Sequence, residues 1–364
     1  MKIQIFLTTL LCFLCINLAV AETGDEVVLL FAGDAMQHQK QLDVALQNGR
    51  NKTYDYSECF KFIAHEISAA DYAVCNLEVP LGGGPSYSGF PNFSAPDSYA
   101  LALRDAGFDM MLTSNNHCLD RGDKAARRTL EALDRMGIDH VGTFHDETDR
   151  TSKVPFIKDI NGIKFGFLDY TYGTNGIDPT SGMEVALIDK ERMADEISKT
   201  RESGAEILVV AMHWGTEYVL RESSVQRDLA DFLVDQGVDL VIGGHPHVIQ
   251  PMEVRRNDKE NKDVLVVYSL GNLISNMTTA DTSGGALVRV KVQRDEDGVA
   301  RFKHADYDTF YTAKPEGAFK NFTVIPSWMS EKIPAGQKDA WNIFNRSSSK
   351  IFDKYNKNVA RRHN

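Results

Sequence analysis

Short apolar runs, rich in β-branched and large side chains, recur along the chain at 27–32, 72–75, 110–112, 164–168, 207–212, 240–242 and 264–268. Each ends in turn residues, the signature of a buried strand. Between them lie stretches of helical spacing at 61–69, 98–106, 124–136, 190–203 and 225–236. Several stop at a glycine (Gly107, Gly137, Gly204, Gly237), the residue that most easily takes the left-handed turn ending a helix. Helix, glycine, strand in repetition is the pattern of a layered α/β protein. Residues 286–292 alternate apolar and polar, which predicts an antiparallel strand. Residues 81–96, with Gly82-Gly83-Gly84-Pro85 and several aromatics, break the rhythm and read as a long loop beside a site. Beyond residue 312, Trp328, Trp341, Phe344, Ile351 and Phe352 predict a C-terminal appendage, 313–364, that packs on the core.

The chain opens with Lys2, an apolar run over 3–20 and Ala19-Val20-Ala21, a small-x-small cleavage pattern. Residues 1–21 are read as a signal peptide, and the protein as exported to the periplasm or beyond. The alternative is a retained anchor, for which the apolar run is barely long enough. A net charge of −11 argues against nucleic acid or an anionic membrane as partner. It leaves a polyanionic ligand open, because a metal supplies positive charge locally. Cys59, Cys75 and Cys118 remain after the signal. Three thiols allow one disulfide, with Cys59–Cys75 a possible pair, but no disulfide framework.

Six polar motifs follow predicted strands, where ligands bind in open α/β sheets. Gly33-Asp34-Ala35-Met36 offers a carboxylate at a tight turn, although aspartate there also serves as a helix cap. Glu78, in Asn76-Leu77-Glu78, has no basic partner near it in sequence and calls for a cation or several donors. Thr113–Gly122 contains Asn116, a neutral oxygen ligand, and His117, a proton donor or ligand, with Asp120 placed to orient His117 or to cap the next helix. His213-Trp214-Gly215 puts a histidine directly after a strand. Gly243-Gly244-His245-Pro246-His247 carries two histidines at i, i+2. On an extended segment they would face opposite ways; a turn built on the glycines and Pro246 presents both to one site. Ser269-Leu270-Gly271-Asn272 shapes a loop beneath the site, with Asn272 either a substrate contact or part of a simple turn. Aspartate, glutamate, asparagine and histidine without cysteine suit one or two divalent ions such as zinc, manganese or iron, and two ions sharing a carboxylate can activate water and clamp a phosphoryl oxygen.

Taken in order, these motifs resemble the CapA family of poly-γ-glutamate capsule proteins, a branch of the calcineurin-like metallophosphatases. The resemblance covers roughly 27–292 and implies a four-layer αββα sandwich over residues 22–312 with the site at one edge. It also implies roles: Asp34 and His247 on one metal, Asn116, His213 and His245 on the other, Glu78 bridging, and His117 protonating a leaving group while held by Asp120. One departure stands out. Metallophosphatases carry Asp-x-His in the first motif, whereas this chain has Met36, with His38 out of register, which weakens the first metal position. The function implied is an exported metal-dependent hydrolase, acting on a phosphoester or an amide in synthesis, release or processing of a capsule polymer. The alternative is a non-catalytic partner, associated with a membrane synthase, whose metals bind an anionic polymer during export.

Overall fold

The computed structural model describes residues 26–363, so the expected signal peptide lies outside the described residues. The predicted strands form two sheets. The larger runs Thr323–Pro326, Ala300–Ala313, Gly284–Arg294, Glu26–Ala35, Tyr72–Leu77, Met110–Leu112, Asp139–Val141 from edge to edge. Asn272–Ile274 pairs beside Glu26–Ala35, and Ala360–Arg361 beside Ala300–Ala313. The smaller sheet runs Met252–Asn257, Lys262–Val267, Leu240–Gly244, Ile207–His213, Ile163–Thr171, Phe156–Ile160. Gly284–Arg294 pairs antiparallel with Glu26–Ala35, as its alternation predicted.

Side-chain alternation along each strand sorts residues into layers. Val27, Leu29 and Phe31 of one sheet meet Phe165, Phe167, Val209 and Ile242 of the other in a shared core. The opposite face of the larger sheet (Leu30, Ala73, Cys75, Met111) packs on helical residues such as Tyr99, Leu103 and Leu133. The opposite face of the smaller sheet (Leu208, Val210, Val241) packs on Met193, Ile197 and Leu233. The layers are therefore helix, sheet, sheet, helix: the αββα sandwich.

The helices predicted at 98–106, 124–136, 190–203 and 225–236 are found at Asp97–Asp105, Gly122–Met136, Lys190–Glu202 and Ser224–Asp235. The one predicted at 61–69 shrinks to Ala64–Ser68. Several strands escaped the sequence reading, among them two without apolar runs. Met252–Asn257 is an edge strand carrying Glu253, Arg255 and Arg256, and Ala300–Ala313 begins with mostly polar residues. Helix Lys338–Tyr355 seats Phe352 against Tyr307, ring centroids 4.5 Å apart, and flanking segments Thr323–Pro326 and Ala360–Arg361 are strands of the larger sheet. All three described cysteines are buried free thiols, so the possible Cys59–Cys75 disulfide is not formed.

Candidate metal centre

The site gathers where the strands of both sheets end. Strand alternation explains much of it. Tyr72 and Val74 face the inter-sheet core, so Asn76 faces the same way; Val209 and Ala211 carry His213 with them. Asp34 needs a correction to this rule. Between Phe31 and Asp34 the strand holds one residue more than its partner, and pairing slips from Phe31↔Val74 to Asp34↔Asn76. This bulge reverses the alternation and turns Asp34 inward. Asn76 Nδ2 then donates to Asp34 Oδ1 at 2.8 Å.

The glycines of the motifs permit close backbone approach. A Cβ on Gly33 would meet the Gly271 carbonyl oxygen at 1.9 Å, and one on Gly243 the Tyr268 oxygen at 2.1 Å. In the Gly-Gly-His-Pro-His turn, His245 and His247 both take positive φ, 94° and 58°. Such backbone is costly for residues other than glycine and concentrates at functional sites. It points both rings into one site, as the sequence anticipated.

The six expected ligands are buried and contiguous. Asn116 Oδ1 lies 2.8 Å from His213 Nε2, and Glu78 Oε1 lies 3.5 Å from the same nitrogen. His247 Nδ1 is 3.3 Å from Asp34 Oδ2, and His247 Nε2 is 3.8 Å from Glu78 Oε1. Two tight groups of ligand atoms emerge, Glu78–His245–His247 and Asp34–Glu78–His213. Both contain Glu78; they divide the remaining ligands differently from the pairing the resemblance implied. His38 belongs to neither group. Its Nδ1 accepts the Asn276 amide at 3.2 Å, so it does not replace the histidine absent at Met36.

The donors fit a divalent cation. Glu78 is fully buried, yet neither carboxylate oxygen has a hydrogen-bond partner, and His245 Nδ1 is equally unpartnered. Buried carboxylates without donors are expensive unless a cation meets them. Burial and the neighbouring Asp34 charge push the Glu78 carboxyl well above the usual range. Burial would raise Asp34 too, but hydrogen bonding to His247 and the charges of His213 and His247 hold it well below. Burial pushes His213 and His245 down to about 3 and about 2, leaving neutral rings with a lone pair to share.

His117 and Asp120 pair beside the expected ligands. His117 Nδ1 is 2.8 Å from Asp120 Oδ2, which also accepts the Phe93 amide at 2.8 Å. Burial opposes protonation of His117, but the Asp120 hydrogen bond together with the Glu78 and Asp120 charges outweighs it and raises the pKa. Asp120 is not the helix cap, a position held by Arg121. Asn272 is corrected as well. It is wholly buried, with Oδ1 3.0 Å from His247 Nδ1 and its amide donating to the His247 and Thr282 carbonyls, so it orients a ligand and is closed to substrate.

A cavity of about 660 Å³ opens over His117, Asn116 and His247. Phe90, Pro91 and Asn92 of the glycine-rich loop line it, together with Asn175, Glu217 and Tyr218. The sequence reading left several contributors unassigned. Asp169 accepts the Thr113 and Ser114 amides at 3.1 and 2.8 Å and fixes the loop that bears Asn116. It directly follows the 164–168 run, so the strand-end rule used for the other motifs would have found it. Asn175 accepts from Asn116 Nδ2 at 3.2 Å, and the Tyr172 ring lies 4.6 Å from that of His245. Both stand in an irregular loop with no distinctive local signal.

A family model described as bacterial capsule synthesis protein PGA_cap matches residues 28–277. The chain is 28% identical to the PGA biosynthesis protein CapA of Bacillus subtilis (strain 168), over 88% of this chain and 81% of that one. It is also 28% identical to the capsule biosynthesis protein CapA of Bacillus anthracis, over 73% of this chain and 64% of the relative. Among solved structures it is similar to the NAD nucleotidase (NadN) of Haemophilus influenzae, with TM-score 0.47 and 10% identity, over 89% of this chain and 60% of that one.

Proposed function

The chain belongs to the family of bacterial capsule synthesis proteins, and from that premise we propose that it is an exported metal-dependent hydrolase acting on a polymer of the poly-γ-glutamate class. The observation that carries this reading is Glu78: a wholly buried carboxylate with two unpartnered oxygens, set among His213, His245 and His247. Asp34, Glu78, Asn116, His213, His245 and His247 would hold one or two divalent ions. When bound, such an ion supplies Lewis acidity toward a scissile carbonyl or phosphoryl oxygen and favours ionisation of water.

The remaining chemistry belongs to the chain. With Nδ1 held by Asp120, His117 carries its transferable proton on Nε2, at the floor of the cavity. There it protonates the departing nitrogen or oxygen as water adds to the carbonyl or phosphorus. Asn175 fixes Asn116, and Asn272 fixes His247, so neither ligand turns away from the cluster. Binding alone needs no proton donor, which is why the His117–Asp120 pair favours hydrolysis. Met36 favours the second reading, a non-catalytic partner that binds anionic polymer during export beside a membrane synthase.

The test is the metal content of the purified protein, wild type against His245→Ala, together with hydrolysis of a generic phosphodiester and of poly-γ-glutamate. Bound metal and metal-dependent turnover, both reduced in the variant, are expected, and the substrate cleaved names the bond. Bound metal without turnover on either substrate transfers the assignment to the binding role. No metal under replete conditions overturns both.

A further inference from the structure

The cavity over the metal cluster is notable for its charges. Its lining contains no lysine and no arginine. A pocket built to hold a run of carboxylates would need cations along its wall, and these walls instead offer the amides of Asn92, Asn175 and Asn276. Two acidic residues face it. Asp120 is committed to His117 and the Phe93 amide. Glu217 is half-buried and hydrogen-bonded to the Tyr218 hydroxyl, and no lysine or arginine forms an ion pair with it among the described residues. Its charge reaches Glu78 and His247, which places it within range of the cluster.

Exposed aromatic rings line the same cavity as that carboxylate. Phe90, Tyr172 and Tyr218 are 72%, 49% and 53% exposed, unusual for rings on a surface with so few exposed large apolar side chains. Phe90 and Tyr218 line the cavity. Tyr218 is held at φ 66° by donating its backbone N–H to the Pro246 carbonyl, inside the turn that bears both histidines. A carboxylate that shares a cavity with exposed aromatic faces is the chemistry that recognises a cation.

We propose that Glu217, with the rings of Tyr218 and Phe90, binds an ammonium group of the ligand, so that the amino-bearing end of a glutamate chain docks at the metal cluster. The chain's run of carboxylates then extends out of the cavity into solvent. This rests on the capsule-polymer reading above and adds the end of the polymer that is recognised.

The experiment measures calorimetric binding to the manganese-supplemented full chain of three probes: a γ-linked glutamate tetramer with a free amino end, the same tetramer N-acetylated, and inorganic phosphate. Acetylation removes the ammonium charge and is expected to weaken wild-type binding about tenfold. In Glu217→Gln the two tetramers are expected to bind within about twofold of each other. A variant that failed to fold would bind neither, whereas the expected variant still binds the acetylated chain. Equal wild-type affinity for both tetramers, or a tenfold preference surviving in Glu217→Gln, overturns the proposal. Phosphate separates the deeper failures. If phosphate binds and neither tetramer does, the glutamate-chain reading falls together with this one. If phosphate does not bind either, the metal centre itself is refuted.

Discussion

At the scale of single residues, the centre depends on side chains that never touch a ligand. Asp120 is the clearest case, because it fixes the tautomer of His117 and raises its pKa, burial notwithstanding. Asp120→Asn keeps the shape and removes the charge. Turnover is expected to fall about 10²-fold, since positioned proton transfer contributes that much or more, while metal content stays at the wild-type level. The loss of activity at high pH, where His117 gives up its proton, is expected to move to lower pH. A pH–rate profile with parallel metal analysis checks both; an unmoved profile would mean that Asp120 only supports the Phe93 loop. Much of this scale was legible in the sequence. Histidines, carboxylates and Asn116 after strands announced a cluster of metal-ligand types, because few other arrangements bring so many such groups to strand ends. Asn272 was not legible, since nothing local distinguishes an asparagine that holds a histidine from one that holds a substrate.

At the scale of elements, strand ends and their register do the positioning. One extra residue after Phe31 turns Asp34 toward Asn76, and no periodicity in 27–36 foretells it. The edge strand Met252–Asn257 shows how charge stabilises an element without an apolar run. Glu253 accepts from Arg255 at 2.7 Å and from Lys357 at 2.8 Å, which ties the C-terminal segment to the smaller sheet. Burial alone would raise Glu253, but the Lys357 and Arg255 contacts prevail and lower its pKa below the ordinary 4.5. A carboxylate held low in the folded state adds stability that is complete above the unfolded value and disappears as pH falls through the folded one. Wild-type protein should therefore lose stability below pH 4.5, and Glu253→Gln should lose less between pH 7 and acid. Urea midpoints at the two pH values measure the difference; an identical loss in both proteins would exclude a contribution from Glu253.

At the scale of the molecule, the two sheets must stay face to face for the cluster to exist. Asp34, Glu78 and Asn116 come from the larger sheet's strands and loops, while His213, His245 and His247 come from the smaller. The shared core between the sheets is thus the foundation of the site. Phe167 is 2% exposed in that core, its ring 5.6 Å from Tyr72 of the opposite sheet. Phe167→Ala is expected to cost about 3–5 kcal/mol by loss of transfer energy and creation of a cavity. Denaturant unfolding reads the cost; a loss below about 1 kcal/mol, typical of a surface substitution, would contradict the inter-sheet role.

The sequence by itself determined the layers and the chemistry. Strand runs, glycine-ended helices and the order of the motifs are local properties, set by backbone preference and side-chain type, and they led to an αββα sandwich with a histidine–carboxylate centre. Only the tertiary structure decided which ligands stand together, that Asp34 turns inward through a bulge, that Asn272 is closed to substrate, and that the cavity wall carries Glu217 and aromatic rings but no cation. These depend on register and on the approach of segments more than two hundred residues apart. Neither is encoded in the spacing of any single motif.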